Sequence, residues 1–328
     1  MTTKMKAAIR GEHGLELVQI DTPRPGAEEV LVRVQAFSLN RADLGVLAGH
    51  MHGNIGGPGT VLGMEFAGEV VEVGAAVTGI APGDRVMCSG KAAFAQYAVA
   101  DMGRTIKLPN ESMTFEQATT LPVALQTMHD ALITNGRLKK GESVLIQGAS
   151  SGVGLMALQI ARLMGAGTVM GTSTNAARRA RLTEFGADLA LDSNDPDWVR
   201  QALEATGDKG VDLTIDQLSG AVMNQSMAAA AVLGRIVNVG RLAGTRAEFD
   251  FDLHALKRID YIGVTFRTRS VQEVREITRK MTADLAPHFA SGKLALPIDK
   301  VFPFEQVGAA FDHMRENKHF GKLVVTMG

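Results

Sequence analysis

Apolar residues change their spacing about a third of the way along the chain. In the first third they alternate with polar residues or gather in short runs, at 15–20, 30–36, 67–73, 85–88 and 93–99, with turn signals between them. A period of two closed off by turn residues predicts strands, so this segment is read as all-β. After Thr114, helical patterns alternate with short strands expected at 189–192, 211–216, 235–239 and 261–266. Short buried strands alternating with helices predict a doubly wound parallel sheet. One helix is expected from Asp195, with Pro196 just inside it and Trp198, Val199 and Leu203 buried. Beyond Leu285 short strands return with one helix, and the last run, 322–326, is expected to rejoin the first domain.

The change is sharpest at Val144-Leu-Ile-Gln-Gly-Ala-Ser-Ser-Gly-Val-Gly154. An apolar strand runs through a glycine-punctuated turn into a helix that carries Val153, Ala157, Ile160, Ala161 and Met164 on one face. Such a turn brings backbone close to a dinucleotide pyrophosphate, whose charge the helix N–H groups and dipole stabilise. Gly148, Ser150, Ser151, Gly152, Val153 and Gly154 are therefore candidate cofactor contacts. The next strand, 168–173, ends without the acid that would take a ribose 2′-hydroxyl, and reads on as Gly171-Thr-Ser-Thr-Asn-Ala-Ala-Arg-Arg179. Hydroxyls at Thr172 and Ser173 followed by the Arg178 guanidinium suit a 2′-phosphate, so NADPH is the expected cofactor rather than NADH. Taken singly, Arg178 and Arg179 also fit a solvated helix face.

Composition narrows the class. A length of 328 residues suits two domains with substantial cores. A formal net charge of −1 carries no electrostatic footprint for nucleic acid or an anionic membrane, and no apolar run reaches bilayer length. The opening Met1-Thr-Thr-Lys-Met-Lys-Ala-Ala-Ile leads into a strand without the apolar core of a signal peptide. One cysteine, Cys88, excludes an intrachain disulfide and reads as a small buried hydrophobe, so the cytoplasm is the expected compartment.

Six segments carry a family resemblance: Ser38-Leu-Asn-Arg-Ala-Asp43, Leu62-Gly-Met-Glu-Phe-Ala-Gly-Glu-Val70, Pro82-Gly-Asp-Arg-Val86, the run from Gly141 to Gly154, Gly234-Arg-Ile-Val-Asn-Val-Gly240 and Gly321-Lys-Leu-Val. With them the chain resembles zinc-independent members of the medium-chain dehydrogenase/reductase superfamily, in the quinone oxidoreductase (zeta-crystallin-like) branch. That resemblance implies an α/β fold in which a Rossmann NADP-binding domain, 123–266, is inserted into a GroES-like β-rich catalytic domain, 1–122 and 267–328. Zinc-dependent relatives carry a cysteine, a Gly-His-Glu motif and a further ligand, where this chain has Asn40, Gly63-Met64-Glu65 and Val123. Asparagine, methionine and valine do not make a zinc site, so no metal is expected, and Glu65 is expected to hold nearby backbone or an arginine. Without a Lewis acid the acceptor must itself be electrophilic. A quinone or an α,β-unsaturated carbonyl qualifies, because the enolate left by hydride addition needs only hydrogen-bond donors. NADPH-dependent reduction of such an acceptor is the expected function. Enoyl-thioester reduction and a non-catalytic NADPH-binding structural or sensor role are the alternatives.

The resemblance also implies roles for single residues. Asn40 is to point its amide toward the nicotinamide and Asp43 to fix that loop, although both also fit local caps. Many relatives carry a tyrosine near Asp43 or slightly later, where this chain has Gly45 and Gly49-His-Met-His-Gly53. His50 and His52 are thus candidate proton donors, and each equally suits a solvated loop. Thr127 matches a hydroxyl beside the phosphates or nicotinamide, Ser173 and Arg178 match 2′-phosphate binders, and Ser193 replaces a tyrosine over that phosphate. Val239, Gly240, Thr265 and Phe266 are to border the nicotinamide and its ribose, and Lys322 to reach the adenine ribose side. The strand over 260–266, rich in β-formers and expected at a sheet edge, is expected to join two copies as a homodimer.

Overall fold

A computed structural model of the chain describes residues 4–53 and 55–328. Ala124–Thr265 form one compact unit, and the chain on either side of it, through Val123 and from Phe266, forms the other.

The divided unit opens with β1 (Lys4–Arg10), β2 (Leu15–Asp21), β3 (Glu29–Ser38), β4 (Thr60–Val61), β5 (Glu65–Val73), β6 (Arg85–Ser89), β7 (Tyr97–Asp101) and β8 (Thr105–Lys107). β1 pairs antiparallel with β2 and β4 in a small sheet. β3 pairs with β5 and β7, and β5 continues through β6 to β8. The apolar run at 93–99 becomes a strand only from Tyr97. Phe94 is instead fixed outside a strand, its N–H donating to Leu62 O at 2.9 Å and its carbonyl accepting from Ala8 N at 2.8 Å. That placement stacks its ring on Phe37, 4.2 Å between centroids.

The contiguous unit contains β9 (Val144–Gln147), β10 (Val169–Thr172), β11 (Leu189–Leu191), β12 (Val211–Asp216), β13 (Ala230–Asn238) and β14 (Asp260–Gly263). All pair in parallel in the order β11-β10-β9-β12-β13-β14. β9 and β10 are buried along their whole length, as short, continuous apolar runs require in a sheet covered on both faces. The helix Gly152–Leu163 buries Leu155, Met156, Ala157, Leu158, Ile160 and Ala161, a wider face than its spacing predicts. The helix expected from Asp195 starts at Trp198. Asp195 uses Oδ1 to accept Asp197 N at 2.9 Å and Oδ2 to accept Gln201 Nε2 at 2.8 Å, which holds Asp195 and Pro196 in the preceding turn. Trp198 packs with Leu145, Met170, Leu191 and Val211. The run at 261–266 also shortens, because β14 ends at Gly263.

Past this unit come the helix Val271–Ala290, β15 (Ile298–Pro303), the helix Val307–Arg315 and β16 (Lys322–Thr326). β16 runs antiparallel to β3 and parallel to β15, so the last strand rejoins the first sheet as its sequence leads one to expect. Phe37, Phe66, Phe94, Phe304 and Phe311 are fully buried in the core of this unit. Each such side chain contributes about 1.5–3 kcal/mol by leaving water.

Candidate functional site

At the end of β9 the turn into the helix Gly152–Leu163 is held from several sides. Gly148 N donates to Thr172 Oγ1 at 3.0 Å, and Thr172 Oγ1 donates to Gln147 Oε1 at 2.8 Å. Ser151 caps the helix by accepting Gly154 N at 3.0 Å, and lies 2.8 Å from Gln217 Oε1. Gln217 Nε2 returns to Gln147 O at 3.1 Å. A Cβ on Gly154 would come within 2.7 Å of Ala149 Cα and O and of Gly148 O, so the helix lies directly on the turn. The leading N–H groups of a helix, here those of Gly152 and Val153, have no carbonyl four residues back. Together with the dipole they make an anion site that fits a pyrophosphate.

This geometry reassigns two hydroxyls. Ser151 and Thr172, candidates for direct cofactor contact, have their oxygens engaged in the cap and in the Gln147 bond, and so shape the turn instead. Ser173 Oγ donates to Ser150 Oγ at 3.0 Å, so these two hydroxyls meet where β9 and β10 end. Arg178 lies half-buried on the short helix Ala176–Ala180. Arg179 is more firmly placed: its guanidinium donates to Ser173 O at 2.9 Å and pairs with Asp192 at 3.0 Å, next to Ser193. Ser150, Ser173, Arg178, Arg179 and Ser193 thus belong to one end of the sheet. Val239 and Gly240 follow β13, and both donate backbone N–H groups to Asp216 O. Thr127, on the helix Pro122–His129, and Thr265 are half-buried in the same unit, whereas Phe266 begins the second segment of the other, with the Arg269 guanidinium over its ring.

In the divided unit the neighbouring strands β5, β3 and β16 bring Glu65, Ser38 and Lys322 together at their ends. Glu65 has no exposed surface. Its Oε1 accepts from Ser38 Oγ at 2.7 Å, Asn40 Nδ2 at 2.8 Å and Lys322 Nζ at 2.6 Å, and its Oε2 accepts from Val123 N at 2.8 Å. Lys322 Nζ also donates to Asn40 Oδ1 at 2.9 Å. The Asn40 amide is thereby oriented at both ends, keeping one N–H and one lone pair for another partner. Asp43 Oδ2 accepts Asn40 N at 2.7 Å. Burial pushes the Asp43 carboxyl up to about 7, helped by the charge of Glu65 and opposed by the Asn40 and Gly63 amides and the Lys322 ammonium.

Lys322 is the largest departure from the sequence reading. Expected on the adenine ribose side, it is 5% exposed and its ammonium is bound to Glu65 and Asn40. Glu65 does hold backbone as expected, with a lysine where an arginine was anticipated. Sequence reading gave no site role to Ser38, Gln147 or Gln217, whose partners lie far along the chain. The signal for Ser38 was its place in the Ser38–Asp43 motif. His50 is exposed and His52 half-buried, and burial and the Arg267 charge hold the His52 imidazole below its usual range. Among the described residues no hydrogen bond joins either histidine to the Glu65 cluster, and no group of three or more His, Cys, Asp or Glu is placed to share a metal ion. Cys88 is buried, and burial raises its thiol to about 12.

Known proteins agree with this geometry. Residues 26–110 match the alcohol dehydrogenase GroES-like domain, and residues 152–283 match the zinc-binding dehydrogenase family. The highly reducing polyketide synthase ALT1 of Alternaria alternata is 30% identical over 319 residues, which is 96% of this chain and 12% of the synthase. The chain therefore spans only a small part of that relative. The synaptic vesicle membrane protein VAT-1 homolog of Rattus norvegicus is 31% identical over 320 residues, 93% of this chain and 78% of that protein. Among solved structures, the CurK enoyl reductase superposes with a TM-score of 0.86 at 27% identity, covering 98% of this chain and 99% of that one. Mycobacterial Rv1454c complexed with NADPH gives 0.86 at 25% identity with the same coverage. A parallel sheet with a glycine-rich turn, joined in sequence to a GroES-like β-domain, defines an oxidoreductase. The chain belongs to the medium-chain dehydrogenase/reductase superfamily. No helix among the described residues is long and apolar enough to cross a membrane.

Proposed function

We propose that this chain reduces quinones, or the activated C=C bond of α,β-unsaturated carbonyls, with NADPH and without a metal ion. The observation that carries the reading is the Glu65 cluster, where a buried ammonium polarises the Asn40 amide. NADPH, when bound, supplies the hydride. The helix N–H groups above Gly148 hold its pyrophosphate, and Ser150, Ser173, Arg178 and Arg179 offer the donors and charge that a 2′-phosphate needs. Asn40 has one N–H left to hold the acceptor's oxygen, and the Lys322 charge on its carbonyl makes that N–H a better donor. One polarised amide suits a delocalised enolate or hydroquinone anion. An unconjugated ketone would leave a localised alkoxide needing stronger stabilisation. Glu65 and Asp43 hold the amide and backbone of Asn40 in that pose. Similarity to the NADPH-bound Rv1454c structure supports the cofactor.

Enoyl-thioester reduction is the second reading, since the chain is similar to the CurK enoyl reductase and to part of a reducing polyketide synthase. A panel of quinones, enones, enoyl thioesters and simple ketones, followed by loss of NADPH absorbance, tests the assignment. Quinones or enones should consume NADPH, with higher efficiency than NADH, and EDTA should leave the rate unchanged. Faster turnover of enoyl thioesters selects the second reading. NADPH binding with no turnover of any acceptor selects a non-catalytic role.

A further inference from the structure

The loops that follow β12 and β13 are sewn together backbone to backbone. Asp216 O accepts Val239 N at 2.7 Å and Gly240 N at 3.1 Å, Gln217 O accepts Leu242 N at 3.2 Å, and Leu218 O accepts Ala243 N at 2.8 Å. A Cβ on Gly240 would fall 2.4 Å from Gln217 O, a closer approach than any side chain permits. Ser219 pins the seam. It is 6% exposed, donates from Oγ to Gly240 O at 2.8 Å, and donates its N–H to Asp216 Oδ1 at 2.9 Å. Leu218 N donates to the same carboxylate oxygen at 2.8 Å. The backbone of Ser219, φ 53° and ψ −153°, lies in a region populated almost entirely by glycine. Non-glycine residues stay there only where surrounding bonds over-determine them, and such residues gather at ligand sites.

Strand order reverses between β9 and β12, with β10 and β11 on one side and β13 and β14 on the other. Dinucleotides bind across such a reversal, one mononucleotide to each half of the sheet. The Ser173 and Arg178 end belongs to the half that takes the adenosine 2′-phosphate, which leaves the loops after β12 and β13 for the nicotinamide half.

We infer that Ser219 is a positioning residue: by pinning Gly240 it fixes the cradle for the nicotinamide half of the cofactor, and its strained backbone is what brings Oγ to the Gly240 carbonyl. This inference rests on the NADPH reading above. Calorimetric titration of wild type, Ser219→Ala and Ser219→Gly with NADPH and with adenosine 2′,5′-bisphosphate, which lacks the nicotinamide half, tests it. Both variants should bind NADPH about three- to tenfold more weakly, the effect of one lost hydrogen bond, and bind the bisphosphate as wild type does. Ser219→Gly should also melt higher than Ser219→Ala, because both lack the hydroxyl and only glycine is unstrained there. Equal weakening of both ligands shows a general structural role and overturns the inference, as does unchanged NADPH affinity. Wild type that binds neither ligand overturns the cofactor reading itself, and this inference with it.

Discussion

Asp43 has to hold its charge away from water. With its carboxyl pushed up to about 7 by burial, the folded protein keeps a proton that the unfolded chain releases near its ordinary value of 3.8. Between those values the folded state binds more protons, so Asp43 lowers stability as pH rises through that window and adds no further change above it. Asparagine has no proton to lose. The melting temperature of Asp43→Asn relative to wild type should therefore climb between about pH 4 and about pH 7 and level off above, and a constant gap across that range would refute the assignment. In the contiguous unit, Arg178→Ala should cost about 1.5–3 kcal/mol in NADPH recognition and leave NADH unaffected, read as the ratio of kcat/KM values for the two cofactors. Asn40, Asp43 and the Gly148–Gly154 turn were legible as candidates because they lie in compact motifs. What each side chain does was less so. Ser151 and Lys322 are the plainest cases, since Gln217 lies 66 residues from Ser151 and Glu65 lies 257 from Lys322. Only the fold brings those partners into reach.

Elements were readable where one physical signal dominated. β12 spans the run predicted for it, 211–216, where Val211, Leu213 and Ile215 alternate with Asp212, Thr214 and Asp216 in the period of two that a strand imposes. Phe94 misled because an apolar residue can reach the core from a non-strand segment, and Asp195 because its side chain serves the turn before the helix rather than the cap. The turn after β9 depends on close approach, so Gly154→Ala should be severe. Something must shift to admit the methyl group, at a cost of about 1–3 kcal/mol in stability, and the helix end should move off the pyrophosphate position. Thermal melting with and without NADPH checks this: a variant that melts as wild type does and is equally stabilised by NADPH would show the turn to be looser than described.

At the scale of the whole molecule, β14 is the last strand of its sheet and has β13 as its one neighbour there. On the helix Phe251–Lys257, which leads into it, Phe251 and Leu256 are 76% and 73% exposed. An edge strand with exposed apolar neighbours favours an isologous contact with a second copy, and a homodimer is the expected state. Val264, which the sequence places in this strand, is 8% exposed and beyond its end, so a charge there would disturb the fold. Leu256→Glu is the cleaner change. Light scattering should show a dimer for wild type and a monomer for the variant, and a wild-type mass that stays monomeric at every concentration would exclude the contact.

The placement of β16 beside β3 bears on how the protein is made. Ala124–Thr265 can fold as soon as they leave the ribosome, because every strand of their sheet lies within that one stretch. The other unit cannot. Until 257 further residues have been synthesised, Glu65 has no lysine to meet its charge and β3 lacks the strand that covers its flank. Domains generally fold as units during synthesis, the earlier-completed one first, and an unpaired strand edge is prone to aggregation while it waits. The nascent chain therefore carries its half-built β-sheet past a finished nucleotide-binding domain, and slower translation between the two segments lengthens its exposure to chaperones and to neighbouring chains.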